Sequence, residues 1–244
     1  MQPLKITAHL ASSIAISRPE DIALDGLLSY EVLRRHFGAD FYTLPDPKEQ
    51  LLFAALPLAM RGAHIEAATG DLFPTATCWY WACSSAIVDV KGRDRQYWNK
   101  RFDTAPALSD HIDFDGKREK VLIEQGRFKA YHMPLTTVVA SAIVWYAYGD
   151  RDVIADILCP VAVIGKKRVQ GNGRVLAWEI EPIAEDYSEW RDDTLMRPLP
   201  MPLVDVTAIT PLDMQHIAYR APQWHRANQC LCVVKARKSP ITLA

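Results

Sequence analysis

The sequence predicts an α+β fold with a ferredoxin-like, or RRM-like, core of βαββαβ order. Three observations predict it. Residues 4–10 alternate between apolar and polar side chains, as in a half-buried strand. Apolar residues at helical spacing follow at 24–37 and again after Asp150. A glycine-rich loop then leads into a second alternating strand at residues 176–181.

The predicted core covers residues 1–182 and includes a basic insertion at residues 91–129, and residues 183–244 form a small β-rich extension packed on it. A length of 244 residues allows one large domain with such an extension. Hydrophobic residues make up 49% of the chain and charged residues 23%, which is typical of a globular protein with ample core. The formal net charge of −1 argues against nucleic-acid binding driven by bulk charge but permits a local basic patch.

Membrane, disulfide and metal-dependent classes are disfavoured. No apolar run is long enough to span a bilayer, and the N-terminus lacks a signal pattern, so we expect a cytoplasmic protein. Five cysteines do not suggest a disulfide framework. Neither Cys78 with Cys83 nor Cys230 with Cys232 has the spacing of a structural zinc site. We therefore expect no metal and no cofactor.

The first strand has an apolar and a polar face. The apolar face consists of Leu4, Ile6, Ala8 and Leu10, and the polar face of Lys5, Thr7 and His9. The first helix is expected from about Leu24 to Phe37, with Asp21 or Asp25 capping its start and Gly38 ending it. Residues 51–60 and 64–68 then predict a strand pair that turns at Arg61 and Gly62.

The second helix is expected to begin at a capping Asp150 and to end at Pro160. Its apolar face consists of Val153, Ile154, Ile157 and Leu158. In the strand after the glycine loop, Leu176, Trp178 and Ile180 share one face, opposite Glu179 and Glu181. In the extension, residues 197–202 predict a stiff proline-rich connector and residues 229–235 a strand.

The glycine-rich loop suits an anion such as phosphate. It contains Gly165, Gly171 and Gly173 together with Lys166, Lys167, Arg168 and Arg174. Glycine lets a ligand approach the main chain closely, and free N–H groups with added cations favour negative charge. The alternative, which the spacing leaves equally open, is a tight turn between helix and strand with solvated cations.

Two nucleotide-binding motifs do not fit this loop. A Walker A loop needs a glycine where Pro160 stands and Ser or Thr where Lys167 stands. A dinucleotide fingerprint needs a strand before its glycines and a helix after them, the reverse of the predicted order. Residues 170–177 are closer to an RNA-binding strand motif without aromatic residues. This favours a grip on a nucleic-acid backbone.

Cations alternate with aromatic residues in the basic insertion. The cations include Arg93, Arg95, Lys100, Arg101 and Lys129, and the aromatic residues are Tyr97, Trp98 and Phe102. This pattern suits single-stranded nucleic acid because bases stack on rings while cations meet phosphates. The alternative for each residue is a solvated charge on an exposed hairpin. Arg220, Trp224 and His225 either contact RNA or close the extension as an aromatic plug.

Residues 165–181 resemble the glycine-loop RAMP superfamily of CRISPR-associated RNA-binding proteins. Within it, the chain is similar to the Cas-five-type subunit of type IV CRISPR effector complexes. Residues 24–28, 126–131 and 222–225 add to this resemblance.

The resemblance implies a non-catalytic subunit of a prokaryotic ribonucleoprotein that caps the 5′ handle of the guide crRNA in antiviral or anti-plasmid defence. Its RAMP core would carry a thumb-like insertion at residues 91–129. Its neighbours would be Cas-seven-like backbone subunits and a large subunit, and contact with target DNA near the flanking motif stays open. The loop residues from Gly165 to Lys167, with Arg168, Gly171, Gly173 and Arg174, match the family's handle-binding motif. Asn172 departs from it, because relatives often carry an aromatic residue there.

A guide-processing endoribonuclease is the competing function, because some relatives cleave RNA. Metal-free cleavage needs a general base and a group that stabilises the developing charge, and the candidates are Lys129, Tyr131 and His132. On one strand, Lys129 and Tyr131 share a face and His132 points away. We therefore expect no catalysis. A nucleotide-binding enzyme is the weakest alternative, because the loop lacks a Walker or Rossmann context.

Overall fold

The computed structural model describes residues 1–18, 22–42, 55–64, 77–101, 124–125, 128–205 and 207–238. Over these residues the chain is a mixed α/β protein built mostly of strands, with two α-helices. None of the described helices is long and apolar enough to cross a membrane. The cap predicted at Asp21, much of the strand pair predicted at 51–68 and most of the basic insertion lie outside the described residues.

The elements follow one another as a run of short strands interrupted twice by helices. The strands are β1 (Gln2–Leu10), β2 (Met60–His64), β3 (Thr77–Trp81), β4 (Ile87–Val88), β5 (Gly92–Lys100), β6 (Tyr131–Val139), β7 (Ala142–Gly149), β8 (Val175–Pro182), β9 (Trp190–Arg191), β10 (Thr194–Leu195), β11 (Leu199–Pro200), β12 (Ile209–Ala218) and β13 (Gln229–Lys238). The helices are α1 (Leu24–Phe37) and α2 (Arg151–Leu158). Short 3-10 turns lie at Gly38–Tyr42, Arg168–Gln170, Met201–Leu203 and Arg226–Asn228.

The first sheet is antiparallel, with the strand order β4-β7-β1-β8. The apolar face predicted for β1 is confirmed at Leu4, Ile6 and Ala8, which are fully buried in the core formed with α1 and α2. Trp145 of β7 lies in the same core, and its indole N–H donates to the carbonyl of Ile22 at 3.0 Å. This bond satisfies the polar atom of a buried tryptophan.

Helix α1 has the predicted bounds and the predicted stop. Gly38 follows its last residue with φ 56°, in the left-handed range that glycine adopts at little cost. The cap prediction for Asp25 is wrong. Ala23 occupies the N-cap position, and no side chain forms a capping hydrogen bond there. Asp25 is instead buried and accepts a hydrogen bond from the amide of Ala221 at 3.0 Å.

The structure confirms the cap predicted for α2 at Asp150. The Asp150 carboxylate accepts from the amides of Asp152 and Val153 at 3.1 and 3.2 Å, which satisfies two amides that the helix itself cannot bond. The apolar face is confirmed at Ile154, Ile157 and Leu158 but not at Val153, which is 46% exposed. The buried stripe of this two-turn helix is therefore narrower than predicted.

Strands β2 and β3 form a separate antiparallel ladder, and they correct the turn predicted at Arg61 and Gly62. Both residues lie inside β2, opposite Tyr80 and Trp79. A Cβ atom on Gly62 would lie 2.0 Å from the carbonyl oxygen of Cys78. The glycine is therefore explained by the close approach of β3 and not by a turn.

Strand β13 is the central strand of the second sheet. It pairs with β12 on one side and with β10 and β11 on the other. The strand predicted at 229–235 is confirmed and continues to Lys238. The connector predicted at 197–202 is corrected, because Leu199 and Pro200 form β11 and pair with Val233 and Cys232.

Arg197, at the start of that segment, links the second sheet to the rest of the chain through hydrogen bonds. It is 4% exposed and donates to the carbonyls of Trp81, Cys83 and Tyr219. Burial raises the pKa of Asp25 nearby, and the positive charge of Arg197 partly offsets that rise. A buried carboxylate and a buried guanidinium thus sit together where α1 meets the extension.

Candidate nucleic-acid interface

The glycine loop is a compact turn with four left-handed positions. Lys167 (φ 54°) and Gly171 (φ 85°) flank the 3-10 turn Arg168–Gln170, and Gly165 and Gly173 have φ values of 85° and 71°. At Gly173 a Cβ atom would lie 1.8 Å from the carbonyl oxygen of Ile164. A side chain at that position is therefore incompatible with this fold of the loop.

The turn after β1, residues 12–15, holds the loop in place; we call it the strap. The Ser12 hydroxyl donates to the carbonyl of Gly171 at 2.8 Å and accepts from the amide of Arg174 at 3.0 Å. The amide of Gly173 donates to the Ser13 carbonyl at 2.8 Å. These bonds attach the second half of the loop to the end of β1.

The strap also attaches the loop to the hairpin formed by β5 and β6. Ile14 and Val138 of β6 exchange two backbone hydrogen bonds of 2.9 and 2.8 Å, and the Lys166 amide donates to the Ala15 carbonyl at 2.8 Å. Consecutive strap residues therefore bind the hairpin and the loop. The only sequence signal for this role is the pair of small polar residues, Ser12 and Ser13, that follows β1.

The expectation of free N–H groups in the loop is wrong for five of its amides. The amides of Lys166, Gln170, Gly171, Gly173 and Arg174 already donate to protein oxygens. These amides cannot cradle a phosphate without breaking those bonds. The loop side chains are left to attract an anion, together with amides such as those of Lys167, Arg168 and Val169, which donate to no oxygen among the described residues.

The β5–β6 hairpin has two faces, because side chains alternate along each strand. Trp98, Lys100 and the opposing Tyr131 share one face, which we call the loop face. Arg93, Arg95, Tyr97 and His132 share the other, the outer face. The predicted cations of the insertion are therefore divided between two surfaces. Arg101 and Lys129 lie beyond the ends of the strands and are exposed.

The loop meets the hairpin on the loop face. The Lys167 ammonium lies 3.1 Å from the ring centroid of Trp98. Trp98 contacts Tyr131 edge to face at 4.7 Å, and the Lys100 ammonium lies 5.9 Å from the Tyr131 ring. Two cations and two aromatic rings thus form one cluster, which we call the cation–aromatic cluster. Such contacts orient long side chains that would otherwise move freely.

The outer face carries a stacked pair of rings. Tyr97 is 52% exposed and stacks on His132, with centroids 4.5 Å apart and planes 6° apart. The His132 Nδ1 atom contacts the side-chain oxygen of Asn99. Because Tyr131 and His132 lie on opposite faces and Lys129 precedes the strand, the three nuclease candidates do not converge.

Three other predicted RNA-binding residues are buried or bonded within the protein. Asn172 is 2% exposed, and its Nδ2 atom has no hydrogen-bond partner among the described residues. Arg220 is 8% exposed, donates to Asn228 Oδ1 at 2.7 Å and stacks on Trp79 at 4.0 Å. His225 accepts from the amide of Ala227 at 3.2 Å. In contrast, Trp224 is 49% exposed.

The metal and cysteine chemistry is simple. Within the described part of the chain, no group of three or more His, Cys, Asp or Glu side chains is placed to hold a metal ion. All five cysteines are free thiols, and Cys159 alone among them is exposed. Burial raises the pKa of the Cys83 thiol to about 12. The Cys83 thiol is therefore protonated and unreactive at neutral pH.

These features describe a mixed α/β protein with a candidate nucleic-acid interface between a glycine loop and a hairpin. Residues 75–235 match the family model described as CRISPR type IV associated protein Csf3. Because the match covers well over half of the chain, the chain belongs to this family, which is the Cas5-like subunit of type IV CRISPR systems. No curated protein matches the chain.

The family match confirms the resemblance inferred from the sequence. The matched residues include the hairpin, the glycine loop and most of the second sheet. Membership gives the chain a role in a type IV CRISPR complex. The strap precedes the matched region.

Proposed function

We propose that this chain is a non-catalytic subunit that binds and caps the 5′ handle of the guide crRNA in a type IV CRISPR ribonucleoprotein. The cation–aromatic cluster carries the proposal. Single-stranded RNA is held where cations meet phosphates and rings stack on bases. Lys167, Trp98 and Tyr131 provide both kinds of group in one place.

The proposed grip on the RNA backbone comes mainly from side chains. Lys166, Lys167, Arg168 and Arg174 project from a turn in which half of the amides are bonded within the protein. The glycines permit the turn, and the turn positions the cations. This division of roles supports recognition of phosphates chiefly by side chains.

We also propose that the first sheet and its helices form a ferredoxin-like RAMP core. Along the chain, α1 lies between β1 and β4, with the β2–β3 ladder between α1 and β4, and α2 connects β7 to β8, in an antiparallel sheet of order β4-β7-β1-β8. The strand, helix, strand, strand, helix, strand sequence of this sheet supports the assignment. The β5–β6 hairpin is inserted between its second and third strands, where the thumb-like insertion is proposed.

The separation of Lys129, Tyr131 and His132 supports binding without RNA cleavage. The proposed partners are Cas-seven-like backbone subunits, the large subunit and, near the flanking motif, target DNA. The proposed location is the prokaryotic cytoplasm. These assignments follow from the family and from the guide-binding role.

The salt dependence of RNA binding tests the role of the loop. The loop variant replaces Lys166, Lys167 and Arg168 with Ala, and the matched control replaces the exposed Lys235, Arg237 and Lys238 of β13 with Ala. Both variants lose three positive charges. Each lost phosphate contact on a single strand lowers the slope of log Kobs against log salt by about 0.7, so three contacts lower it by about 2.

The probe is a fluorescent single-stranded RNA with the repeat-derived 5′ sequence of the guide that co-purifies with the complex. We expect a weaker affinity and a shallower slope for the loop variant, with the control close to the wild type. Equal slopes for all three proteins would contradict the assigned role of the loop. Site-specific cleavage of the RNA by the wild-type chain would contradict the non-catalytic assignment.

A further inference from the structure

A pocket of about 240 Å³ lies beside the glycine loop and the N-terminal end of α1. Ile16, Ile22 and Leu27 form its apolar walls, and Lys166 and Gln223 provide polar groups. Pockets for drug-sized ligands usually measure about 300–1,000 Å³. This pocket is therefore suited to a single small ring system with apolar faces and a polar edge.

The two polar side chains are held by their neighbours. The Lys166 ammonium donates to the Ser17 hydroxyl at 2.5 Å, and an ammonium has two further N–H groups to offer. The Gln223 Nε2 atom donates to the buried Asp25 carboxylate at 3.4 Å. Gln223 also lies close over Gly26, where a Cβ atom would come within 2.7 Å of its amide nitrogen. The glycine in α1 thus makes room for the amide.

We propose that this pocket binds one unstacked nucleobase of an RNA strand whose phosphate contacts Lys166. A nucleobase has two apolar faces and an edge of donors and acceptors, and the Gln223 amide offers both a donor and an acceptor to that edge. Sequence-specific RNA-binding proteins commonly take up bases that are splayed out of the strand. The inference rests on the proposed RNA binding and adds a base-reading site to it.

The pocket compensates for a missing feature of the loop. Asn172 is buried and has no ring, so the centre of the loop has no platform for a base. Gly165 and Lys166 belong to both the loop and the pocket lining. A strand gripped at Lys166 therefore needs to turn out only one base to fill the pocket.

The test compares two single-stranded probes that share the same sugar-phosphate backbone. One is a fluorescent 12-nucleotide chain (about three times the smallest site size of a single binding fold) made entirely of stable abasic residues. The other carries one adenine, guanine, cytosine or uracil at its centre. Stacking or edge recognition of one base corresponds to about a five-fold or greater gain in affinity. We expect this gain for at least one of the four bases with the wild-type chain.

Two variants test whether the gain in affinity arises in the pocket. Gln223→Ala removes the amide, and Gly26→Leu fills the space beneath it. We expect each variant to reduce the gain to less than about two-fold while leaving the affinity for the abasic chain unchanged. The matched control, Gln2→Ala, changes an exposed glutamine at the start of β1 and should retain the full gain.

The outcomes separate this inference from the proposed function. If the abasic chain binds and no base adds affinity, or if both pocket variants keep the gain, the pocket assignment is refuted and the backbone grip stands. If no RNA probe binds, the proposed function itself fails. A free nucleoside monophosphate that binds more tightly than every one-base chain would assign the pocket to free nucleotides and overturn the inference.

Discussion

Two glycines of the loop allow steric crowding to be separated from backbone strain. Gly171 and Gly173 are two residues apart and have left-handed φ values of 85° and 71°. No atom lies within 4 Å of a Cβ built on Gly171, whereas one built on Gly173 lies 1.8 Å from the Ile164 carbonyl oxygen. The variants Gly171→Ala and Gly173→Ala therefore differ chiefly in whether the neighbouring chain must move.

The magnitudes follow from these contacts. A left-handed alanine costs about 1–2 kcal/mol, and the loss of glycine freedom in the unfolded chain offsets about 0.4–1 kcal/mol of this. We expect Gly171→Ala to lower the free energy of unfolding by about 1 kcal/mol. Gly173→Ala must in addition displace Ile164, which disrupts the two 2.8 Å bonds of Gly173 with Ile164 and Ser13. At about 1 kcal/mol for each bond, the expected cost is about 3 kcal/mol.

Urea denaturation followed by tryptophan fluorescence measures both changes, because Trp145 and Trp178 lie in or against the first core. We also expect Gly173→Ala to weaken RNA binding more than Gly171→Ala, since the displaced turn carries Lys167 away from Trp98. Equal losses of stability for the two variants would refute the steric account of Gly173. The loop would then be able to adopt another backbone course.

Two further predictions concern buried charges. The hydrogen bond from Arg34 lowers the pKa of the Glu31 carboxyl, against the effect of burial, so its stabilisation is present above the unfolded pKa and is lost as pH falls through the folded value. Glu31→Gln should therefore cost about 1–2 kcal/mol at pH 7, and this cost should disappear progressively as the pH falls through the lowered folded pKa; a cost that does not shrink as the urea melts are made acidic would contradict this. Arg197→Met leaves the carbonyls of Trp81, Cys83 and Tyr219 without their guanidinium donor and should cost about 3 kcal/mol, at about 1 kcal/mol for each lost bond. Arg191→Met on the exposed surface should cost under about 1 kcal/mol, and similar urea midpoints for the two variants would exclude a structural role for Arg197.

Local signals explain where the sequence predicted the fold well. Helix α1 matched its bounds because its apolar spacing and Gly38 are both local features. The start of α2 matched because the Asp150 carboxylate bonds amides only two and three residues away. Features of this kind do not depend on the rest of the chain.

Long-range pairing explains where the prediction was wrong. The prolines at residues 197–202 favoured a connector, yet Pro200 pairs with Cys232 at the edge of the second sheet. An edge strand tolerates proline, because its missing N–H can face away from the ladder. The sequence could not reveal a partner more than 30 residues away.

The candidate site shows the same difference between features predicted from local sequence and features that depend on distant segments. The cations and glycines of the loop were identified from their spacing, and the hairpin cations from their interleaving with rings. The strap contacts, the burial of Asn172 and the stacking of Arg220 on Trp79 all depend on segments distant in the chain. The sequence therefore identifies the proposed RNA-binding groups better than the contacts that position them.

Pairing of charges on the first sheet reconciles a net charge of −1 with a basic interface. On the polar face, Lys5 bonds Glu181 at 3.0 Å and His9 bonds Glu179 at 2.9 Å, so these side chains are engaged across the β1–β8 pair. Tyr187 packs on Tyr146 of the same face at 5.3 Å and helps to cover it. A strand of RNA laid across this face would have to displace those contacts.

The loop cations, by contrast, interact with a hydroxyl at Ser17 and a ring at Trp98, which leave their charge uncancelled. An RNA backbone is therefore expected to run along the edge between the glycine loop and the hairpin, and not over the sheet.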